Sequence, residues 1–224
     1  MSFPPLILAS ASPRRRFLLR LLGARFRVRV SGVPERRRRR ESPRALALRL
    51  ALAKAAAVAR IHPGACVLGA DTVVCVGSRV LGTPGDRREA ALMLGLLSGR
   101  RHRVWTAVAL LEPGRRPRRL AVCTRVSVAP LSAADRRAYL GSGEWKGKAG
   151  GYGIQGRFAA WVRRIDGSYT NVVGLPLEPV RRLLRRGRSR TRRRSPARQA
   201  PSGRQRRRGR RAAVTSSRRR TGVR

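Results

Sequence analysis

In the stretch LASASPRRRFLLRLL, residues 8–22, Ser10 and Ser12 stand just ahead of Arg14, Arg15 and Arg16, at what reads as the start of an apolar-faced helix. A helix start already carries partial positive charge, so three cations there are unfavourable unless an anion joins them. Unpaired backbone N–H groups at that end and forked guanidinium donors both match phosphate oxygens. The constellation suits a polyphosphate. The competing explanation is a solvated helix face in an arginine-rich protein.

Asp71 is the second candidate. It closes the apolar run CVLGA and precedes TVV, which puts a carboxylate at an expected strand end in a chain with only ten acidic residues. Such a group is a candidate general base or metal ligand, against the commoner role of a turn-forming Asp. Glu35 and Glu41 flank an arginine run. Each could help hold a divalent cation or pair with neighbouring arginines, and pairing is the better reading for Glu41.

The third candidate is KGKAGGYGIQG, residues 146–156. It contains a formal Gly-x-Gly-x-x-Gly, but no apolar strand precedes it and no acidic residue follows at the distance a dinucleotide site requires. A glycine-rich loop that turns Lys148 and Gln155 toward a ligand fits better, and Gln155 could hydrogen-bond a base edge. A plain tight turn is the alternative. His62 and His102 are isolated and read as surface or structural residues.

The elements that must position these groups alternate between strand and helix patterns. Residues 6–10 read as a buried strand, and Ser12 with Pro13 as the cap and first turn of a helix whose apolar face is Phe17, Leu18, Leu21 and Leu22. Residues 26–33 alternate as a strand, 34–43 form a charged loop, and 43–60 are helical. Two strands joined at Gly77–Ser78 occupy 65–82, and a helix spans 86–97. Strands at 102–112, 118–130 and 158–168, a helix near 132–140 and a closing helix from 177 complete an α/β pattern.

All but three of the 54 basic residues are arginine, and the net charge is +44. That charge predicts non-specific attraction to nucleic acid without making nucleic-acid binding the function. Cys66, Cys75 and Cys123 have neither metal-site nor disulfide spacing, so a reduced, cytoplasmic protein is expected. No apolar run is long enough to span a membrane, and the arginines that follow SPRRRFLL exclude an export signal, so no membrane partner is expected. From 185 to 224 the chain has 18 arginines and neither an acidic nor an aromatic residue. The expected division is therefore a folded body over 1–184 and an Arg-rich disordered tail over 185–224. The tail is either a basic nucleic-acid arm or an out-of-frame extension of a GC-rich gene.

Taken in order, LILASASPRR, Lys54 in LALAKAAAVA, GADTVV, LSGRRHRVWTAVAL, GKAGGYGIQG and IDGSYTNVVGLPL make the chain resemble the Maf family of nucleoside triphosphate pyrophosphatases over about residues 5–184. The resemblance implies a long mixed sheet with helices forming two lobes around a cleft, similar to inosine triphosphate pyrophosphatases. It implies hydrolysis of a nucleoside triphosphate to the monophosphate and pyrophosphate, assisted by a divalent cation, magnesium or manganese. Asp71 would accept the proton and join Glu35 at the metal. Arg14, Thr72 and Gln155 fall where the family selects its base, in forms that resemble the branch preferring dTTP and UTP. Ser12, Arg15, Lys54 and Lys148 would line the phosphate site. A homodimer is common in such proteins.

Two departures stand out. Thr83 replaces a usual lysine, with Arg79 or Arg87 as candidate stand-ins, and Gly147 replaces a frequent aspartate. The rival readings are an Arg-rich nucleic-acid-binding protein with a catalytically weak body, and a regulator of cell division or septum formation.

Overall fold

Strand β1 (Leu6–Ala9) is apolar throughout and leads directly into α1 (Pro13–Leu21), where Ser12 Oγ accepts from the Arg15 N–H at 3.4 Å and proline holds the first position. The computed structural model describes residues 5–191. The buried stripe of α1 is not the expected one. Arg15, Leu18 and Leu19 are buried, while Phe17 and Leu21 are exposed. The helix is rotated because the Arg15 guanidinium takes hydrogen bonds inside the protein, and its neighbours three and four residues on follow it inward.

Strand β2 (Phe26–Val28) pairs parallel with β1. It stops five residues short of the expected end because β1, its only partner in the sheet, ends at Ala9. Helix α2 (Pro43–Ile61) is capped by Ser42 and is followed by the long strand β3 (Cys66–Val76) and its hairpin partner β4 (Arg79–Leu81). Helix α3 (Arg87–Leu97) and strands β5 (Arg101–Leu111) and β6 (Arg118–Val128) come next. Helix α4 (Ala133–Gly141) opens with a reciprocal cap between Ser132 and Asp135.

Residues 158–168 depart from the expected strand. Arg157–Trp161 form a 3₁₀ turn, and only Val162–Asp166 extend as β7. Phe158 is buried in a ring cluster with Tyr139 and Tyr152, at centroid distances of 5.4 and 4.5 Å, and the turn delivers it there. A short helix α5 (Tyr169–Val173), capped by Ser168, and α6 (Leu177–Thr191) follow. Helix α6 runs past the boundary expected at 185, and the rest of the expected tail lies outside the described residues.

The seven strands form one mixed sheet in the order β2-β1-β3-β5-β6-β7, with β4 beside β3. Pairing is parallel on both sides of β1 and antiparallel from β3 through β7. The α/β class and mixed sheet agree with expectation. Helix α2 covers one face, and the larger core on the other contains α3, α4 and the ring cluster.

Two local features make the site. First, Ala47, Ala51 and Ala55 put the backbone of α2 against β3, where Gly69 has no side chain to obstruct it. A Cβ on Gly69 would fall 2.3 Å from the Ala51 carbonyl oxygen. Second, one edge of β3 is interrupted. Pairing with β1 ends at Ala9–Gly69, and pairing with β4 begins at Val74–Leu81. Between them Ala70, Asp71, Thr72 and Val73 have no strand on that edge, and a cleft opens there. Among the described residues no helix is long and apolar enough to cross a membrane.

Candidate active site

The cleft is a cavity of about 740 Å³ whose wall includes the nine site residues that the family resemblance implies: Ser12, Arg14, Arg15, Glu35, Lys54, Asp71, Thr72, Lys148 and Gln155. Asp71 and Thr72 are consecutive on β3 and so point to opposite faces of the sheet. Both reach the cavity because it opens through the interrupted edge.

Asp71 lies in the middle of an 11-residue strand, not at the strand end expected from its flanking residues. It faces α2, where Lys54 Nζ donates to Asp71 Oδ1 at 2.6 Å and to Glu35 Oε1 at 2.5 Å. The ammonium thus bridges two carboxylates. Burial pushes the Asp71 carboxyl above its ordinary value, and the charges of Lys54 and Arg15 oppose that rise. Lys54 engages Oδ1 and leaves Oδ2 for a ligand. Glu41 pairs with Arg49 at 2.6 Å instead of facing the cavity, and that hydrogen bond draws its carboxyl down to about 2.

On the other face Arg15 is buried. Its Nε donates to Gly174 O at 2.9 Å, Nη1 to Ser10 Oγ at 3.2 Å and Nη2 to Thr72 Oγ1 at 2.9 Å. Burial lowers its pKa from the usual arginine value. Arg14 is half-buried and donates to Gly147 O at 3.4 Å, which ties α1 to the glycine-rich loop. Burial, then the nearby charge of Arg14, lowers the Lys148 pKa. Its ammonium donates to Glu144 O. Gln155 is exposed on the same wall. Of the four cavity cations only Lys54 is in an ion pair among the described residues. Arg14, Arg15 and Lys148 therefore bring positive charge to the wall that no carboxylate among the described residues pairs with.

Thr83 also lines the cavity, but the suggested stand-ins Arg79 and Arg87 are exposed outside it. Among the described residues no three His, Cys, Asp or Glu side chains gather as a metal cluster. Glu35 and Asp71 meet at the Lys54 ammonium, and each keeps one oxygen not taken by it. Two carboxylates completed by phosphate oxygens and water suit magnesium, which is seldom held by an all-protein cage.

Several supporting residues carry no distinctive signal in the sequence. Glu144 accepts from the Arg157 N–H at 3.0 Å and fixes the far end of the loop that carries Gln155. The Tyr139 hydroxyl accepts from the Gly153 N–H at 3.0 Å. His102, buried as a structural residue, has its Nε2 2.7 Å from the Tyr152 hydroxyl. Thr106 and Asn171 are buried behind Thr72.

Fold and cavity together define an α/β protein with an anion-accepting cleft beside a buried carboxylate. The chain belongs to the Maf family: the family model described as Maf-like protein matches residues 5–187. It is 50% identical over 182 residues to a dTTP/UTP pyrophosphatase of Sphingopyxis alaskensis, covering 81% of this chain and 95% of that protein. It is 52% identical over 181 residues to a dTTP/UTP pyrophosphatase of Hyphomonas neptunium, covering 80% and 94%. Among solved structures, a nucleoside-triphosphatase, dITP/XTP pyrophosphatase, of Mycobacterium abscessus matches with a TM-score of 0.39 and 18% identity, over 84% of this chain and 96% of that one.

Proposed function

We propose that this chain hydrolyses nucleoside triphosphates, dTTP and UTP before others, to the nucleoside monophosphate and pyrophosphate. The observation that carries the reading is Asp71, buried and held by Lys54 on the wall of a cavity whose other cations have no carboxylate partner among the described residues. Relatives about half identical over most of the chain, described as dTTP/UTP pyrophosphatases, support the choice of substrate.

In this reaction Asp71 Oδ2 takes a proton from water as the water oxygen bonds to the α-phosphorus. The bond from the α-phosphorus to the bridging oxygen breaks, and pyrophosphate leaves with the electron pair. Lys54 keeps Asp71 in place through Oδ1. Lys148 and the α1 N-terminus with Ser12 hold the phosphates, and Arg15 adds charge from behind with three N–H donors already engaged. A divalent cation, magnesium or manganese, would be held by Glu35 and Asp71 and would neutralise phosphate charge. Gln155, Arg14 and Thr72 would meet the base. The reading includes a cytoplasmic setting, in keeping with three cysteines outside any disulfide. It also includes a homodimer, and a tail from 185 that is separate from the catalytic body.

A panel of nucleoside triphosphates with Mg²⁺ or Mn²⁺ tests this, with all products quantified. The expected result is monophosphate and pyrophosphate, fastest from dTTP and UTP. Release of diphosphate and phosphate, or a preference for GTP, would overturn it.

A further inference from the structure

Thr72 on β3 and Thr106 on β5 are cross-strand partners, so the sheet register brings their hydroxyls together at 3.0 Å. Thr106 is fully buried and does not line the cavity, whereas Thr72 is half-buried and does. Thr106 Oγ1 lies 2.8 Å from the main-chain oxygen of Asn171. A carbonyl only accepts, so the single hydroxyl proton of Thr106 is committed to that bond. In the bond between the two threonines, Thr72 must then be the donor. Arg15 Nη2 also donates to Thr72 Oγ1, at 2.9 Å. A hydroxyl has one proton and two lone pairs. The proton of Thr72 points to Thr106, one lone pair takes the arginine, and one lone pair remains.

The far end of this chain of bonds is itself fixed. The Asn171 side-chain amide donates to Val104 O and to Thr124 Oγ1, both at 3.0 Å, which holds the Asn171 carbonyl against β5 and β6. Arg15 is fixed at the other end by Ser10 and Gly174. Neither end can swing to release the Thr72 proton.

We infer that Thr106, backed by the Asn171 carbonyl, is a positioning residue that makes Thr72 an acceptor-only contact for the pyrimidine, taking the N3–H of uracil or thymine and refusing cytosine. The inference rests on the reading above in which Thr72 meets the base. Uracil and thymine carry a proton on N3, and cytosine carries a lone pair there. A hydroxyl free to rotate would accept from one and donate to the other. With its rotation blocked, Thr72 meets cytosine N3 lone pair to lone pair, and a desolvated polar group is left unpaired.

The test compares kcat/KM for UTP and CTP in wild type, Thr72→Val, Thr106→Val, Thr106→Ser and the Thr72→Val/Thr106→Val double variant, with thermal unfolding of each. Thr106→Val keeps the shape and removes the acceptor that locks Thr72. The UTP-to-CTP ratio should fall about tenfold or more in that variant. Thr106→Ser should restore it, and in the double variant the loss of Thr106 should add nothing to the loss of Thr72. A general loss of packing would lower both rates together and leave the ratio alone. If Thr72→Val lowers the ratio and Thr106→Val does not, the relay is overturned while Thr72 remains a base contact. If neither moves it, base reading by Thr72 and the relay both fall. N3-methyl-UTP adds a measurement on the wild-type protein that needs no variant to fold. It has no proton to give and should be turned over poorly, and efficient hydrolysis would overturn the inference.

Discussion

Lys54 Nζ lies 2.6 Å from Asp71 Oδ1, and the two residues are only 7% and 3% exposed. The pair joins the buried face of α2 to the middle of β3 and sets a carboxylate on the cavity wall. A buried ion pair is weak evidence for stability, but removing one partner strands the other's charge.

The two halves of the pair should therefore respond differently. Lys54→Met leaves the Asp71 carboxylate buried without its cation and should cost about 3–5 kcal/mol in urea unfolding. Asp71→Asn should cost less, because Glu35 still holds the ammonium at 2.5 Å. Equal losses would show that the pair is not the structural link described.

Asp71→Asn should nevertheless reduce kcat on dTTP by about 10²- to 10⁴-fold, with nucleotide affinity unchanged or tighter. A variant with normal turnover points to another base.

Gly69→Ala places a methyl group against the α2 backbone, 2.3 Å from the Ala51 oxygen and 2.8 Å from the Ala55 nitrogen. The helix must retreat. The expected cost is about 1–3 kcal/mol or more, with loss of activity out of proportion to the loss of stability as Lys54 draws away from Asp71. Calorimetry and a rate measurement well below the melting temperature separate the two effects.

His102 supplies an acid-sensitive element. Burial holds its pKa down to about 4, against 6.5 unperturbed. The unfolded chain therefore takes up the proton first as pH falls. The stability from neutral His102 is complete above about 6.5 and is lost as pH drops toward 4, by about 3 kcal/mol. Urea titrations across that window should show this loss in wild type, and His102→Asn should flatten the slope over that range. An identical slope in both assigns the effect elsewhere.

Thr83 lines the cavity, and neither Arg79 nor Arg87 does. Thr83→Lys should raise kcat/KM for dTTP, since one more positive charge near the phosphates stabilises the leaving group. A neutral or harmful change would mean that Arg15 and Lys148 already suffice.

A chain ending after Thr191 keeps every residue of the cavity and removes most of the arginine-rich tail. It should hydrolyse dTTP at the full-length rate. If the tail is a nucleic-acid arm, DNA binding by the full chain should weaken with salt at a slope of roughly 0.9 per phosphate neutralised, and truncation should abolish it. Loss of hydrolysis on truncation would refute the separation of body and tail.

Local signals in the chain carry much of the architecture. Ser12–Pro13 and Ser42–Pro43 announce two helix starts, and β3, β5 and β6 are readable as strands from their runs of apolar and β-branched residues. The nine candidate residues are legible as a set through resemblance to a family, and they share one cavity.

What the chain alone could not decide is how those residues meet. Hydrophobic period places Phe17 and Leu21 inside α1. The protein turns them out because Arg15 finds Ser10, Thr72 and Gly174, residues up to 159 positions away, and satisfying a buried guanidinium outweighs covering two apolar side chains. Flanking residues suggest that Asp71 ends a strand, yet β5 pairs straight past it from Val67 to Cys75. The cleft exists only because pairing with β1 ends opposite Gly69 and pairing with β4 begins opposite Val74, an interval set by the pairing of three separate segments. Propensity, caps and periodicity are properties of neighbours in sequence. The bridging of Lys54 between Glu35 and Asp71, and the direction of the Thr72 proton, depend on sheet register and on a helix lying against a glycine, which come into being only when the chain is folded.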